Sequence, residues 1–160
     1  MRSEQEAERA IRLYSDTIRR ICFVHLKNHA DVEDIFQDVF LKYILSDTVF
    51  KNNEHEKAWF IRVTVNACRD LIKSAFRSRS VSLDEAINAT SNANEDDRHV
   101  LEAVLKLPKK YRDIVYLHYY EGYTAPEIGK ILNKNENTVY TILKRARELL
   151  KKSLGGDENG

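Results

Sequence analysis

The chain holds two prolines, Pro108 and Pro126, and each stands where a helix can begin. Proline fixes its own φ and lacks an N–H, so it is tolerated in a first turn and breaks a helix further in. Of the five glycines, three fall in the last six residues. Long stretches at helical spacing are therefore left uninterrupted. No segment alternates polar and apolar residues for long enough to suggest a sheet. The predicted fold class is all-α.

At 160 residues the chain could form one ordinary domain or two small ones. Its composition breaks after Phe76, where RSRSVSLDEAINATSNANEDD is rich in serine, asparagine, alanine and acid and offers little to bury. This predicts two small helical domains, residues 6–76 and 97–153, joined by a flexible linker over 77–96, in which DEAINA could form a short helix. No internal repeat is visible.

The most specific pattern lies between Tyr123 and Leu154. Thr124 and Glu127 have the spacing of a capping box, with Pro126 in the first turn behind it. Ile128, Ile131 and Leu132 supply an inward face, and Asn133 can take the left-handed conformation that ends a helix. A second helix restarts near Asn135, with Val139, Ile142, Leu143, Ala146, Leu149 and Leu150 at core spacing. Its outward side shows Asn137, Tyr140, Thr141, Lys144 and Lys151. Short polar side chains near a helix N-terminus with cations behind them suit a helix lying in the DNA major groove. A helical hairpin with a solvated face would satisfy the same apolar spacing without reading anything. Ahead of this unit, Pro108 opens a helix that Gly122 follows, and Leu107, Ile114, Val115, Leu117 and Tyr119 are expected beneath the reading helices.

In the N-terminal half the clearest helix runs from Asp31, its expected cap, to Leu45. Val32, Ile35, Phe36, Val39, Phe40 and Tyr43 fall on one arc at about 100° per residue. The opposite arc places Asp34, Gln37, Asp38, Leu41 and Leu45 together. Leucines amid acids suit a docking surface for a basic partner; burial on both sides would also accommodate them. A further helix, His55 to Arg77, carries the complementary charge. Phe60, Val63, Ala67, Cys68, Leu71 and Ala75 form its expected inner arc, and Arg62, Asn66, Arg69, Lys73 and Arg77 its outer one. Trp59 sits at the edge, more a packing residue than a base-stacking one. A basic stripe with amide neighbours suits a nucleic-acid backbone and unstacked bases, although a basic helix face is often only solvated.

Charge distribution agrees with two separated nucleic-acid contacts. The net charge is only +1. Residues 51–80 hold seven Lys/Arg against three Asp/Glu, residues 81–102 one against six, and residues 103–160 eleven against seven. Cys22 and Cys68 lack metal-ligand spacing, and the histidines have no paired carboxylate or nucleophile. No catalytic residue, metal or cofactor is therefore assigned. The polar start MRSEQEAERAIR is unlike a signal peptide, and no apolar run reaches membrane-spanning length, which predicts a cytoplasmic protein without membrane insertion.

With both halves in view, the chain resembles an RNA polymerase sigma factor of the extracytoplasmic-function class, from about Ala7 to Ser153 without the linker. ADVEDIFQDVFLKYI looks like the polymerase-binding helix of that family. EKAWFIRVTVNACRDLIKS looks like the helix that meets the promoter −10 element. LKLPKKYRDIVYLHYYEGYTAPEIGKIL with TVYTILKRARELL looks like the −35 domain. The resemblance implies core RNA polymerase contacts at Asp34, Gln37, Asp38 and Leu41, and −10 contacts at Arg62, Asn66, Arg69 and Lys73. It implies that loop Ser46–Glu56 holds a flipped promoter base. It places the −35 reader on Asn137, Thr138, Tyr140, Thr141, Lys144 and Arg145, with Arg147 nearer the core edge. Asn133 and Pro126 depart from the family's usual glycine and acid, and both are compatible with the turn.

Core polymerase and promoter DNA are then the partners, and an anti-sigma protein is implied by the resemblance alone. The resemblance also implies that the linker acids Asp84, Glu85, Glu95, Asp96 and Asp97 run near the RNA path of the polymerase and imitate the phosphates of nascent RNA; a solvated tether whose charges only maintain solubility would fit them equally well. A stand-alone helix-turn-helix regulator binding an operator as a dimer would explain the C-terminal half. It would leave the acidic stripe and the second basic helix without a role. A helical adaptor that binds only protein would leave the recognition helix unexplained.

Overall fold

The computed structural model describes residues 1–26, 28–74 and 101–159, and every regular element among them is helical. The linker acids, Ala75, Arg77 and the DEAINA segment lie outside the described residues. The chain divides into two compact units, Met1–Asn92 and Ala93–Gly160.

The first unit packs three helices on one another: α1 (Glu4–His25), α2 (His29–Leu45) and α3 (Asn53–Ser74). Ser3 caps α1 by accepting from the Glu6 N–H at 3.1 Å, and Glu4 and Glu6 place acid against the positive end of the helix dipole. Ala10, Tyr14, Ile18, Ile21 and Cys22 form its buried stripe. The cap of α2 is Asn28, ahead of the expected Asp31. The Asn28 side-chain oxygen accepts from the N–H groups of Ala30 and Asp31 at 2.9 and 3.3 Å. Asp31 itself is buried in the first turn. The start of α3 is likewise earlier than expected, because the Asn52 side chain takes the His55 N–H at 2.8 Å.

The inner face of α3 also differs from the expected arc. Glu56, Phe60, Ile61, Thr64, Val65 and Cys68 are buried, whereas Val63 and Ala67 are half-exposed. Two polar residues account for the rotation. The Thr64 hydroxyl donates to the Phe60 carbonyl at 2.6 Å, so it enters the core already paired. Glu56 is buried because the side chains of Arg9, Tyr14 and Tyr43 converge on it. Around Phe60 the rings of Tyr14, Phe40 and Tyr43 stand at centroid distances of 5.0, 5.3 and 4.8 Å. Each such ring contributes about 1.5–3 kcal/mol by leaving water. The thiols of Cys22 and Cys68 meet in this core, 3.9 Å apart.

The described part of the second unit has a helical stretch, 101–105, followed by α4 (Lys109–Val115), which continues into a π-helical turn, Tyr116–Tyr120. Arg112 ties this corner together: its guanidinium donates to the carbonyls of Leu107 and Leu105, each at 2.9 Å. Pro108 stands at the N-cap of α4, and Gly122 ends the run with φ +81°. The π turn explains one difference from the expected core. An extra residue in the turn shifts the register of the helix face, so Tyr116 and Leu117 are buried while Tyr119 is exposed. Tyr116 stacks on Tyr120 at 5.0 Å and donates its hydroxyl proton to Glu121 at 2.7 Å.

Helices α5 (Ala125–Leu132) and α6 (Glu136–Asn159) form the helix-turn-helix. Both halves of the Thr124–Glu127 capping box are made. Asn133 takes the left-handed conformation, φ 53° and ψ 50°. The next N–H, of Lys134, closes back on the Gly129 carbonyl at 2.8 Å, the long bond of a Schellman turn. Asn135 caps α6 by accepting from the Asn137 N–H at 2.8 Å. Ile128, Val139, Leu143 and Ala146 are buried beneath the turn, but Leu149 is exposed, because α6 continues to Asn159 beyond the helices that cover its first half.

Candidate docking and nucleic-acid surfaces

The outer side of α2 is a solvent face. Asp34, Gln37 and Asp38 lie on it, and Leu41 and Leu45 keep 55% and 60% of their surface open. Two-sided burial therefore does not account for the leucines. Across the same helix Val32, Ile35, Val39, Phe40 and Tyr43 are buried, so the core of the unit is complete without this stripe.

On α3 the outward side chains are Arg62, Asn66 and Lys73, with Arg69 half-exposed. Successive members lie three or four residues apart, so one helix face carries them all. Trp59 packs rather than projects: its ring meets those of Phe50, Phe60 and Tyr43 at 5.9, 5.2 and 6.0 Å. The loop before α3 is shorter than the 46–56 segment suggested, because Asn53 to Glu56 already form the first helical turn. Beside it lies a cavity of about 440 Å³ bordered by Arg2, Arg9, Tyr43, Phe50, Asn52 and Glu56, among others.

Glu56 is the polar centre beneath that loop. Its carboxylate accepts from the Tyr14 hydroxyl at 2.8 Å, the Tyr43 hydroxyl at 2.7 Å and the Arg9 guanidinium at 2.9 Å. Burial alone would raise its pKa, but the bonds from Tyr43, Tyr14 and Arg9 outweigh burial and hold the carboxyl below its ordinary value. Burial and the bonds to Glu56 push the Tyr43 phenol up to about 12 and the Tyr14 phenol further still. Apolar spacing did not reveal this group, although a signal was present: Glu56 lies one helical turn before Phe60, on the face that must be buried.

On α6, Asn137, Thr138, Tyr140, Thr141, Lys144 and Arg145 lie on the open side, with Tyr140 52% exposed. The Thr141 hydroxyl donates to the Asn137 carbonyl at 2.9 Å. Arg147, expected nearer the core edge, is exposed as well. Gly129 was not singled out from the sequence, yet the turn depends on it. A β-carbon there would stand 2.9 Å from the Lys134 carbonyl oxygen. An isolated glycine between Ile128 and Ile131 was the available signal.

Among the described residues, no group of three or more His, Cys, Asp or Glu is arranged to hold a metal ion, and no helix is long and apolar enough to cross a membrane.

Comparison with known proteins matches these two units to two parts of one family. The Sigma-70 region 2 model matches residues 10–78, and the Sigma-70, region 4 model matches residues 98–150. RNA polymerase sigma factor SigV of Bacillus subtilis is 33% identical over 135 residues, covering 82% of this chain and 81% of that one. ECF RNA polymerase sigma factor SigW of the same organism is 29% identical over 159 residues, covering 89% and 85%. Among solved structures, sigma factor RpoE from Bartonella quintana, determined with the anti-sigma factor NepR, superposes with a TM-score of 0.71 at 17% identity, covering 94% of this chain and 98% of that one. The chain belongs to the RNA polymerase sigma factors, in their extracytoplasmic-function class. It directs promoter-specific transcription initiation, with core RNA polymerase and promoter DNA as its partners. An independent operator-binding regulator is not favoured.

Proposed function

We propose a residue-level division of this work among three faces. Asp34, Gln37, Asp38 and Leu41 on α2 dock onto core RNA polymerase, with the leucine desolvated against an apolar patch and the acids opposite cations. Arg62, Asn66, Arg69 and Lys73 on α3 engage the −10 element, and loop 46–52 with its adjoining cavity takes an unstacked base. Asn137, Thr138, Tyr140, Thr141, Lys144 and Arg145 on α6 read the −35 element in the major groove. The domains bearing these faces are residues 6–76 and 97–153, with 77–96 between them. The work is binding and positioning rather than turnover, and it takes place in the cytoplasm beside the polymerase.

One observation carries the assignment: each face is open to solvent on a helix whose other side completes a core. An anti-sigma protein is a further proposed partner, supported by the complex in which RpoE was solved. Reconstituted initiation tests the whole. The chain added to core polymerase should give a stable complex and transcripts that depend on both promoter elements. Substitutions on the three faces should separate core binding, strand opening and −35 dependence. If all three defects arise from any one face, the division is wrong.

A further inference from the structure

The loop between α2 and α3 is fastened at both ends by arginines that precede residue 10, where the region 2 match begins. Arg2 takes the near end. Its Nε donates to the Tyr43 carbonyl at 2.9 Å, its backbone N–H donates to the Ile44 carbonyl at 2.9 Å, and a terminal nitrogen donates to the Thr48 carbonyl. The guanidinium carbon stands 4.3 Å from the Tyr43 ring centroid and 5.2 Å from that of Phe50. Arg9 takes the far end, donating to the Glu56 carboxylate and to the Asn53 side-chain oxygen.

Between these holds the loop's further ties are few: the Met1 ammonium pairs with Asp47 at 3.4 Å, and the Phe50 ring packs against Tyr43, His55 and Trp59. Ser46 and Thr48 bond each other, the Lys51 N–H donates to His55 Nδ1, and Val49 is 87% exposed. Arg2 is therefore the tie that joins loop backbone at Thr48 to the carbonyl end of α2, where a cation is also favoured by the helix dipole. Its planar fork lets one side chain hold two carbonyls while lying over an aromatic ring. A lysine ammonium, a point charge, cannot reproduce that geometry.

We propose that Arg2 is a positioning residue that sets base preference at the −10 element by fixing loop 46–52 against α2. This rests on the assignment of that loop to the −10 surface. Arg2 acts by fixing the cavity wall formed by Thr48, Val49 and Phe50.

The test uses holoenzyme assembled with wild-type chain, Arg2→Ala, Arg2→Lys or Val49→Asp, on promoters carrying each base at each −10 position. Arg2→Ala and Arg2→Lys should both flatten the preference among −10 variants severalfold, with core binding and −35 dependence unchanged. The single tryptophan, Trp59, reports the loop directly, since its ring meets Phe50 at 5.9 Å. Both Arg2 variants should make it more accessible to acrylamide quenching. Full rescue by lysine would overturn the proposal, since charge alone would then suffice. A parallel fall in core binding, −35 use and melting temperature would also overturn it, since the arginine would then serve stability only. If Val49→Asp changes −10 use and Arg2→Ala does not, the loop assignment stands and the role of Arg2 falls. If neither changes it, both fall.

Discussion

The Tyr43 hydroxyl donates to the Glu56 carboxylate over 2.7 Å, joining the last turn of α2 to the first turn of α3. Tyr14 brings α1 to the same carboxylate at 2.8 Å, so one acid connects all three helices of the N-terminal unit. The tie requires neutral phenols and an ionised carboxyl. Both phenols titrate above their ordinary value of 10.0 in the folded chain, Tyr43 at about 12 and Tyr14 higher. Their contribution is thus fully present below pH 10 and is lost as pH rises through the folded values. Glu56 is depressed below 4.5, so its contribution is present above that value and is lost as pH falls through the lower folded one. Melting followed by far-UV circular dichroism should show a loss of stability above about pH 10 that flattens in a Tyr14→Phe/Tyr43→Phe variant. Glu56→Ala should cost about 3 kcal/mol at neutral pH, because it strands buried donors. An unchanged alkaline profile in the double variant would remove the phenols from this account.

Gly129→Ala should damage the helix-turn-helix alone. The new methyl meets the Lys134 carbonyl oxygen at 2.9 Å, and a backbone atom cannot swing aside as a side chain can. The expected cost is about 1–3 kcal/mol of overpacking strain. Transcription from promoters that need a −35 element should fall, while binding to core polymerase through the N-terminal unit persists. Wild-type −35 use by Gly129→Ala would show that the turn tolerates a shift.

Asp38→Arg and Leu41→Asp should weaken core polymerase binding by about 2–5 kcal/mol, the range for losing a desolvated charged contact. Both side chains are exposed, so the helical signal and melting temperature should stay close to wild type. Equilibrium binding of labelled chain to core polymerase decides it: unchanged affinity in folded protein removes the α2 stripe from the interface.

The two basic faces should fail differently. Lys144→Ala and Thr141→Ala should each cost about 1–3 kcal/mol on promoters with a matched −35 element and much less when that element is scrambled. Asn66→Ala and Arg69→Ala should leave initial binding largely intact and lower the fraction of open complexes detected by permanganate footprinting. If the Lys144 variant responds to a scrambled −35 element just as wild type does, the reader lies elsewhere.

Helical periodicity was enough to place α2, α3, α5 and α6, because each buries one stripe and leaves the other in water. The capping box and the left-handed Asn133 were legible too, since they follow from local backbone chemistry. Features set by contacts across the fold were not. Asn28, not Asp31, caps α2, because a cap is decided by which oxygen reaches the first free N–H groups. The buried face of α3 turned toward Thr64 and Glu56 because neighbouring helices and a carbonyl satisfied their polar atoms, which no apolar count anticipates. Tyr119 was misplaced by the π turn, whose extra residue leaves no mark in the apolar spacing. The residues assigned to the candidate surfaces lie on outward helix faces, a placement periodicity can give, while the arginine holds on loop 46–52 join residues more than forty positions apart.

On α6, Thr141 has already given its proton to the Asn137 carbonyl. Toward the outside it therefore offers lone pairs and a methyl group, but no donor. Such a side chain can accept from the amino group of adenine or cytosine, or rest against the thymine methyl. A guanine edge, which presents only acceptors in the major groove, gives it nothing to bond. On the proposed −35 assignment, the helix would discriminate at this position by refusal, through a hydrogen already committed to its own backbone.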